Sequence, residues 1–294
     1  MGVEMKPFSD TFASLPSLSF SLPFSLFPSL FSLLFPLLPP PLFSPPCPQA
    51  LEDIKTAMGL IDAAGGDVVE AEEDMNYRQL KCDIQPIAKG SDKFKLINEY
   101  LQNTHGSTHQ QYSMEIVDAF ELDKDTGFQD GKNKMLLWHG SRLTNWAGIL
   151  SQGLRIAPPE APCTGYMFGK GVYFADASSK SANYCFTNRT NNTGILLLCE
   201  VVLGKQEERL SADSYLHMTL PKSKDSTWGK GRVGPDPKQN ITIDGDVVVP
   251  KGKLKPTGVT NPAGYTLQYN EFIVYNTAQV RFRYLLRCKF NYRR

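Results

Sequence analysis

The stretch "QVRFRYLLRCKFNY" at 279–292 alternates apolar and cationic residues with a period of two. Successive side chains on a strand point to opposite faces, so this period specifies a long strand with one buried face and one wet face. Val280, Phe282, Tyr284, Leu286, Cys288 and Phe290 are expected on the buried face, and Arg281, Arg283, Arg287 and Lys289 on the other. Such a strand needs partners, and "KMLLWH", "GVYFAD", "GILLLCEVVLG" and "EFIVYN" supply further strand-like runs. The expected class is therefore α+β, with a mostly antiparallel sheet and short helices. The cationic face carries no aromatic on which a base could stack, so it reads as a solvated strand face rather than a nucleic-acid surface.

Helical periodicity marks 51–63, with Leu51, Ile54, Met58 and Ile61 in one stripe, and 92–103, with Phe94, Ile97, Tyr100 and Leu101. Two such helices cannot enclose a core. Their stripes must be covered by the later part of the chain or by something missing from it. Short helices fit at 144–152 and 178–186, while 205–262, rich in Gly, Pro, Lys and Asp, reads as long loops around a hairpin.

Residues 14–46 contain only Ser, Leu, Pro and Phe. Pro16, Pro23, Pro28 and Pro36 interrupt every window that could span a membrane, and the apolar stretch outruns a secretory signal. These four residue types are those specified by pyrimidine-only codons. The segment 1–48 is thus expected to be a disordered low-complexity tail or misread non-coding sequence, and no membrane association is expected. The six cysteines, at 47, 82, 163, 185, 199 and 288, lack metal-ligand or paired spacing, which fits a reducing compartment. Lys and Arg (31) balance Asp and Glu (30), so net charge selects no partner.

One motif is discounted. "GKGRVG" at 229–234 fits G-x-G-x-x-G, but polar "SKDSTW" precedes it and "PDP" comes after it, without the strand and helix that a pyrophosphate site needs. By contrast, "LLWHGSR" at 136–142 brings an apolar strand to His139, Gly140 and a hydroxyl. "GYMFGKGVYFAD" at 165–176 repeats that grammar, and "SSKSANY" at 178–184 gathers Lys180, Ser181 and Tyr184 on about one helical turn. In "YNEFIVYN", Glu271 interrupts an otherwise apolar strand. A carboxylate there costs free energy unless it has a partner or a task. The ordinary explanation is a solvated glutamate on an edge strand.

These stretches, in this order, resemble the catalytic region of the DNA-damage-responsive poly(ADP-ribose) polymerases over about 51–292. The resemblance implies an ADP-ribosyltransferase fold preceded by a partial helical subdomain. Its implied divisions are 1–48 low-complexity, 49–115 a remnant of the helical regulatory domain, and 116–294 the catalytic domain. It implies transfer of ADP-ribose from NAD+ to protein acceptors, including the chain itself, elongation to polymer, and release of nicotinamide. NAD+ would be the substrate and no metal would be needed. The family's His-Tyr-Glu triad falls on His139, Tyr173 and Glu271. Gly140 and Ser181 would hold the nicotinamide carboxamide, Tyr184 would stack on its ring, and Tyr173 would wall the site. His139 would hold the adenosine ribose. Ser141, Asn145, Gly153 and Arg155 would line the adenosine side, with Asp53 near it. Glu271 would grip the 2′-hydroxyl of the nicotinamide ribose, with Lys180 beside it as a further catalytic residue. Met167 and Tyr269 would serve the acceptor chain.

The family's earlier regulatory helices, its Trp-Gly-Arg domain and its DNA-binding modules have no counterpart in the sequence. DNA activation and nuclear localisation are therefore family expectations. A mono-ADP-ribosyltransferase, or a non-enzymatic NAD+ or ADP-ribose binding module, would share much of the same pattern.

Overall fold

A computed structural model describes residues 77–293, apart from 159, 161–164 and 266. The expected helix at 51–63, the tail at 1–48 and Asp53 lie outside the described residues. Thirteen strands and four short α-helices are present among the described residues. In chain order the first half holds β1 (Asp83–Pro86), α1 (Asp92–Asn103), β2 (Tyr112–Asp123), β3 (Lys134–Gly140), α2 (Trp146–Gln152), β4 (Val172–Phe174), α3 (Ser178–Ala182) and β5 (Thr193–Val202). The second half holds β6 (Gln206–Arg209), α4 (Leu216–Thr219), β7 (Ser226–Gly229), β8 (Val233–Pro235), β9 (Ile241–Ile243), β10 (Val247–Val249), β11 (Leu254–Pro256), β12 (Glu271–Val274) and β13 (Val280–Tyr292). No described helix is long and apolar enough to cross a membrane.

A seven-stranded sheet runs in the order β1-β2-β13-β5-β3-β10-β9, and a four-stranded sheet runs β4-β12-β7-β6. Pairing is antiparallel throughout except β3 with β10 and β6 with β7. The fold is the expected α+β arrangement. The large sheet is covered on both faces. On one side Leu137, Leu197, Cys199 and Leu285 pack with Val172, Phe174, Phe272 and Val274 of the small sheet and with Trp146 and Leu150 of α2. On the other side Leu136, Trp138, Leu196 and Leu286 pack with Ile97, Tyr100 and Leu101 of α1.

The expected single buried face of β13 is corrected by this structure. All six apolar residues are buried, but Val280 and Phe282 face the small sheet, whereas Tyr284, Leu286, Cys288 and Phe290 face α1. The cause is a bulge. Phe282 opposes Cys199 and Tyr284 opposes Leu198, so Arg283 is the extra residue and the phase inverts there. Both faces of this sheet are apolar, so the inversion leaves every apolar residue covered. The cationic residues are not simply solvated either. Arg281 and Arg283 reach Glu200, Arg283 also binds Asp244, and Arg287 binds Asp118.

Helix α1 forms where expected, capped by Ser91, whose hydroxyl accepts the Phe94 N–H at 3.2 Å. Ile97, Tyr100 and Leu101 are buried by the sheet and Phe94 is partly covered, while Tyr100 anchors the helix by donating to the Leu136 carbonyl at 3.0 Å. The expected division between 115 and 116 falls within β2. The reading of 205–262 as loops around one hairpin needs correction. The β9–β10 hairpin is present, but β6, β7, β8 and β11 are strands as well, each held by cross-strand partners that local propensity does not show.

Candidate active site

The two sheets join where β3 meets the chain after β4. Trp138 and Ala175 exchange both backbone hydrogen bonds, at 2.9 and 3.1 Å. That junction sets His139, the next residue on β3, against Tyr173 in the centre of β4. The His139 Nδ1 lies 3.0 Å from the Tyr173 carbonyl. A carbonyl only accepts, so Nδ1 carries the hydrogen. Burial lowers the His139 pKa, opposed by that hydrogen bond. The ring is therefore neutral at pH 7, and its Nε2 presents a lone pair.

Gly140 ends β3 against α3. A Cβ on Gly140 would lie 2.0 Å from the Ser181 carbonyl oxygen, so only glycine lets α3 seat there. This close seating buries Ser181, whose hydroxyl donates to the Trp138 carbonyl at 2.9 Å and keeps its lone pairs. One turn on, Tyr184 is 53% exposed, so its ring offers a face to a ligand.

Tyr173 uses its phenol internally, donating to the Gly169 carbonyl at 2.6 Å and accepting the Phe168 N–H at 3.0 Å. Burial raises its pKa strongly. It is a fixed wall between the 165–171 segment and the small sheet. Ser141 and Asn145 come after β3, with the Asn145 amide donating to the Ser141 hydroxyl at 2.9 Å. Gly153, at φ +85°, terminates α2 and turns the chain toward Arg155.

Glu271 opens β12, the strand between β4 and β7. This is a central strand, so the edge-strand explanation fails. The Glu271 side chain is only 8% exposed. Its Oε1 meets Lys180 Nζ at 3.1 Å, while its Oε2 is buried with no hydrogen-bond partner in the protein. Such an atom costs free energy unless something arrives to use it. Lys180 also donates to the carbonyls of Tyr269 and Asn270, both at 3.2 Å. An ammonium has three hydrogens, and here all three are engaged. Burial lowers the Lys180 pKa, with Glu271 acting in opposition.

His139, Gly140, Tyr173, Lys180, Ser181 and Glu271 are thus brought together through β3, β4, α3 and β12. The acceptor-side candidates are placed less openly. Met167 is half-buried against Phe168, Leu216 and Ile273. Tyr269 is 3% exposed, and its phenol contacts the Thr108 hydroxyl at 2.8 Å. Sequence reasoning passed over Asp176 and Asn270, whose buried side chains meet at 2.7 Å directly behind Lys180 and Glu271. It also missed Ser179, which accepts the Gly106 N–H at 2.8 Å and bonds His109 at 2.8 Å, tying the loop after α1 to α3. Among the described residues no cluster of His, Cys, Asp and Glu could hold a metal. The G-x-G-x-x-G match indeed leads into no helix, although Ser226–Gly229 is a strand. Gly231 instead packs where a Cβ would strike the Tyr269 backbone at 2.3 Å.

Comparison with known proteins agrees with this geometry. Residues 91–290 match the family model of the poly(ADP-ribose) polymerase catalytic domain. The chain is 52% identical over 250 residues to poly [ADP-ribose] polymerase 2 of Homo sapiens, covering 83% of this chain and 42% of that protein. It is 49% identical over 254 residues to poly [ADP-ribose] polymerase 2 of Arabidopsis thaliana, covering 83% of this chain and 39% of that one. It is 48% identical over 250 residues to poly [ADP-ribose] polymerase 1 of Gallus gallus, covering 83% and 24%. The chain therefore spans less than half the length of each of these curated relatives. The match runs from the cap of α1 to Phe290 in β13 and takes in strands of both sheets, and this chain belongs to the poly(ADP-ribose) polymerase catalytic domain family.

Proposed function

We propose that this chain transfers ADP-ribose from NAD+ to protein acceptors, itself included, and extends it into poly(ADP-ribose) with release of nicotinamide. The observation that carries this reading is the unpartnered Oε2 of Glu271, buried beside Lys180 at the head of a central strand. When the bond between nicotinamide N1 and ribose C1′ breaks, its electron pair returns to the pyridine ring and positive charge develops on the sugar. A fixed carboxylate next to that charge stabilises the transition state more than the substrate. The same group, bonded to the 2′-hydroxyl, orients the ribose. The acceptor oxygen then attacks C1′, forming the new C1′–O bond, and its proton passes to solvent.

The other residues take supporting roles in this proposal. Backbone groups of Gly140 and the Ser181 hydroxyl hold the carboxamide, and the exposed Tyr184 ring stacks on nicotinamide. The neutral His139 accepts from the adenosine ribose through Nε2. Ser141, Asn145, Gly153 and Arg155 line that side. Met167 and Tyr269 shape the acceptor side, Tyr269 from beneath the surface. Residues 49–90, the part of the expected 49–115 segment that precedes the catalytic-domain match, are taken to correspond to part of the family's helical regulatory domain. A nuclear role in the response to DNA damage is part of this proposal, supported by the resemblance to the damage-responsive polymerases.

The test is incubation of the protein with labelled NAD+, with and without nicked DNA, then gel separation and nicotinamide measurement. A ladder of long products with matching nicotinamide release supports polymerisation. Single-unit products would instead identify a mono-ADP-ribosyltransferase, and absence of nicotinamide release would identify a binding module.

A further inference from the structure

Glu271 is held from behind by a buried pair, Asp176 and Asn270, in which the Asp176 Oδ1 has no hydrogen-bond partner in the protein. Asn270, 5% exposed, commits both ends of its amide. Its nitrogen donates to Asp176 Oδ2 at 2.7 Å, and its oxygen accepts the Gly231 N–H at 3.0 Å. Two glycines make room for it. A Cβ on Gly231 would meet the Asn270 backbone nitrogen at 2.6 Å, and one on Gly234 would meet its side-chain amide nitrogen at 2.6 Å. Asp176, 3% exposed, leaves the small sheet just before α3, the helix that carries Lys180. The pair thus cross-links the start of α3 to the residue before Glu271. Lys180 closes the loop by binding the carbonyls of Tyr269 and Asn270 and the Glu271 carboxylate.

We propose that Asp176 and Asn270 are positioning residues for Glu271, fixing the 269–271 segment and Lys180 so that the Glu271 carboxylate meets the reacting ribose in one orientation. This inference rests on the transferase reading above. Lys180 cannot supply that precision alone, because three bonds from one flexible side chain all fall on a segment that must itself be held. The Asn270 amide is planar and bonded at both ends, so it fixes the backbone at Glu271 in two directions. Burial pushes the Asp176 carboxyl up to about 6, and the Asn270 bond and the Lys180 charge act in the other direction. The arrangement keeps a costly buried carboxyl where an apolar side chain of similar size would pack without that cost. A positioning error of about 1 Å near the reacting atoms can cost roughly a hundredfold in rate, which gives such a cost a return.

The experiment compares the full chain with Asp176→Ala, Asn270→Ser, Asp176→Asn and, as reference, Glu271→Gln, using labelled NAD+. Active-site concentration is set in each by titration with a benzamide, which fills the nicotinamide pocket without touching Glu271. Asp176→Ala and Asn270→Ser should lower kcat at least about tenfold per benzamide site, with KM for NAD+ within about twofold. Asp176→Asn retains an acceptor for the Asn270 amide and should stay within about threefold of the parent. Unchanged kcat in Asp176→Ala and Asn270→Ser, with Glu271→Gln inactive, would overturn the positioning role and leave the transferase reading standing. Equal loss in Asp176→Asn and Asp176→Ala would also overturn it, by showing that the charge rather than the bond matters. Polymer formation by Glu271→Gln would instead overturn the transferase reading. If Asp176→Ala gives no folded protein, Asn270→Ser and Asp176→Asn decide the matter on the same criteria.

Discussion

Two buried glutamates lie in strands here, Glu200 within β5 and Glu271 at the head of β12, and they are treated in opposite ways. Glu200, in β5, is 2% exposed and draws three cations from the two neighbouring strands. Lys134 lies 3.7 Å from its Oε1, and Arg281 and Arg283 lie 3.4 and 2.8 Å from its Oε2. Those cations are themselves shared, Lys134 with Asp130 and Asp246, and Arg283 with Asp244. Glu271 has one cation on one oxygen and nothing on the other. A saturated buried charge is a structural tie. At Glu271 the oxygen in reserve costs stability and, on the transferase reading, is kept for a ligand.

Replacing each glutamate by glutamine should separate the two uses. Glu271→Gln should cut polymer synthesis by roughly a hundred- to a thousandfold, the scale of one lost electrostatic contact at a transition state. Its melting temperature should stay within a few degrees of the parent, because Lys180 keeps its two carbonyl acceptors and burial already eases loss of its proton. Glu200→Gln should do the reverse. It leaves Arg283 and Lys134 short of charge in a buried network and should cost about 3 kcal/mol of stability, with turnover per folded molecule unchanged. Denaturant melts and initial rates on the same preparations check both. Comparable stability loss in the two variants would erase the contrast.

Smaller effects sharpen the donor-pocket side of the comparison. His139→Ala should weaken NAD+ by about 1–2 kcal/mol, through one lost hydrogen bond, and spare small benzamides. Tyr184→Ala should weaken benzamides by about 1 kcal/mol, the scale of an aromatic stack. Calorimetric binding of both ligands to both variants tests this, and equal effects on benzamide would refute the assignment of the two ends. His139 also gives a pH signature. Its folded pKa is lowered by burial below the ordinary 6.5 of a histidine, so the folded state binds that proton less readily than the unfolded chain. The stability it supports is complete above pH 6.5 and is lost as pH falls below that value toward the folded pKa. His139→Gln should flatten that acid limb in melts recorded from pH 7 downward.

How much the sequence made legible depends on how local each signal is. The 3.6 period of Ile97, Tyr100 and Leu101 marked α1 within its own residues, and the Ser91 cap was found only in the structure. The alternation of β13 announced a strand, but the bulge at Arg283 is set by pairing with β5, so the face of each residue was wrong past that point. The short strands β6, β7, β8 and β11 carry no pattern long enough to read. His139, Tyr173, Ser181 and Glu271 were found through motifs whose order resembled a family. Asp176 and Asn270 lie in two of those motifs, but nothing local paired them, because their hydrogen bond spans 94 positions and exists only once β12 is seated beside β4.

On this account the free oxygen of Glu271 is filled by the 2′-hydroxyl of the nicotinamide ribose. The direct measurement is a cycle of kcat/KM for the parent and Glu271→Gln, each with NAD+ and with NAD+ lacking that hydroxyl. Any intrinsic change in the sugar's reactivity affects both proteins and cancels. If the two groups meet, removing the hydroxyl should cost the parent far more than it costs Glu271→Gln, so that the losses do not multiply. Fully multiplicative losses would show that Glu271 and the hydroxyl act independently, and would contradict the account.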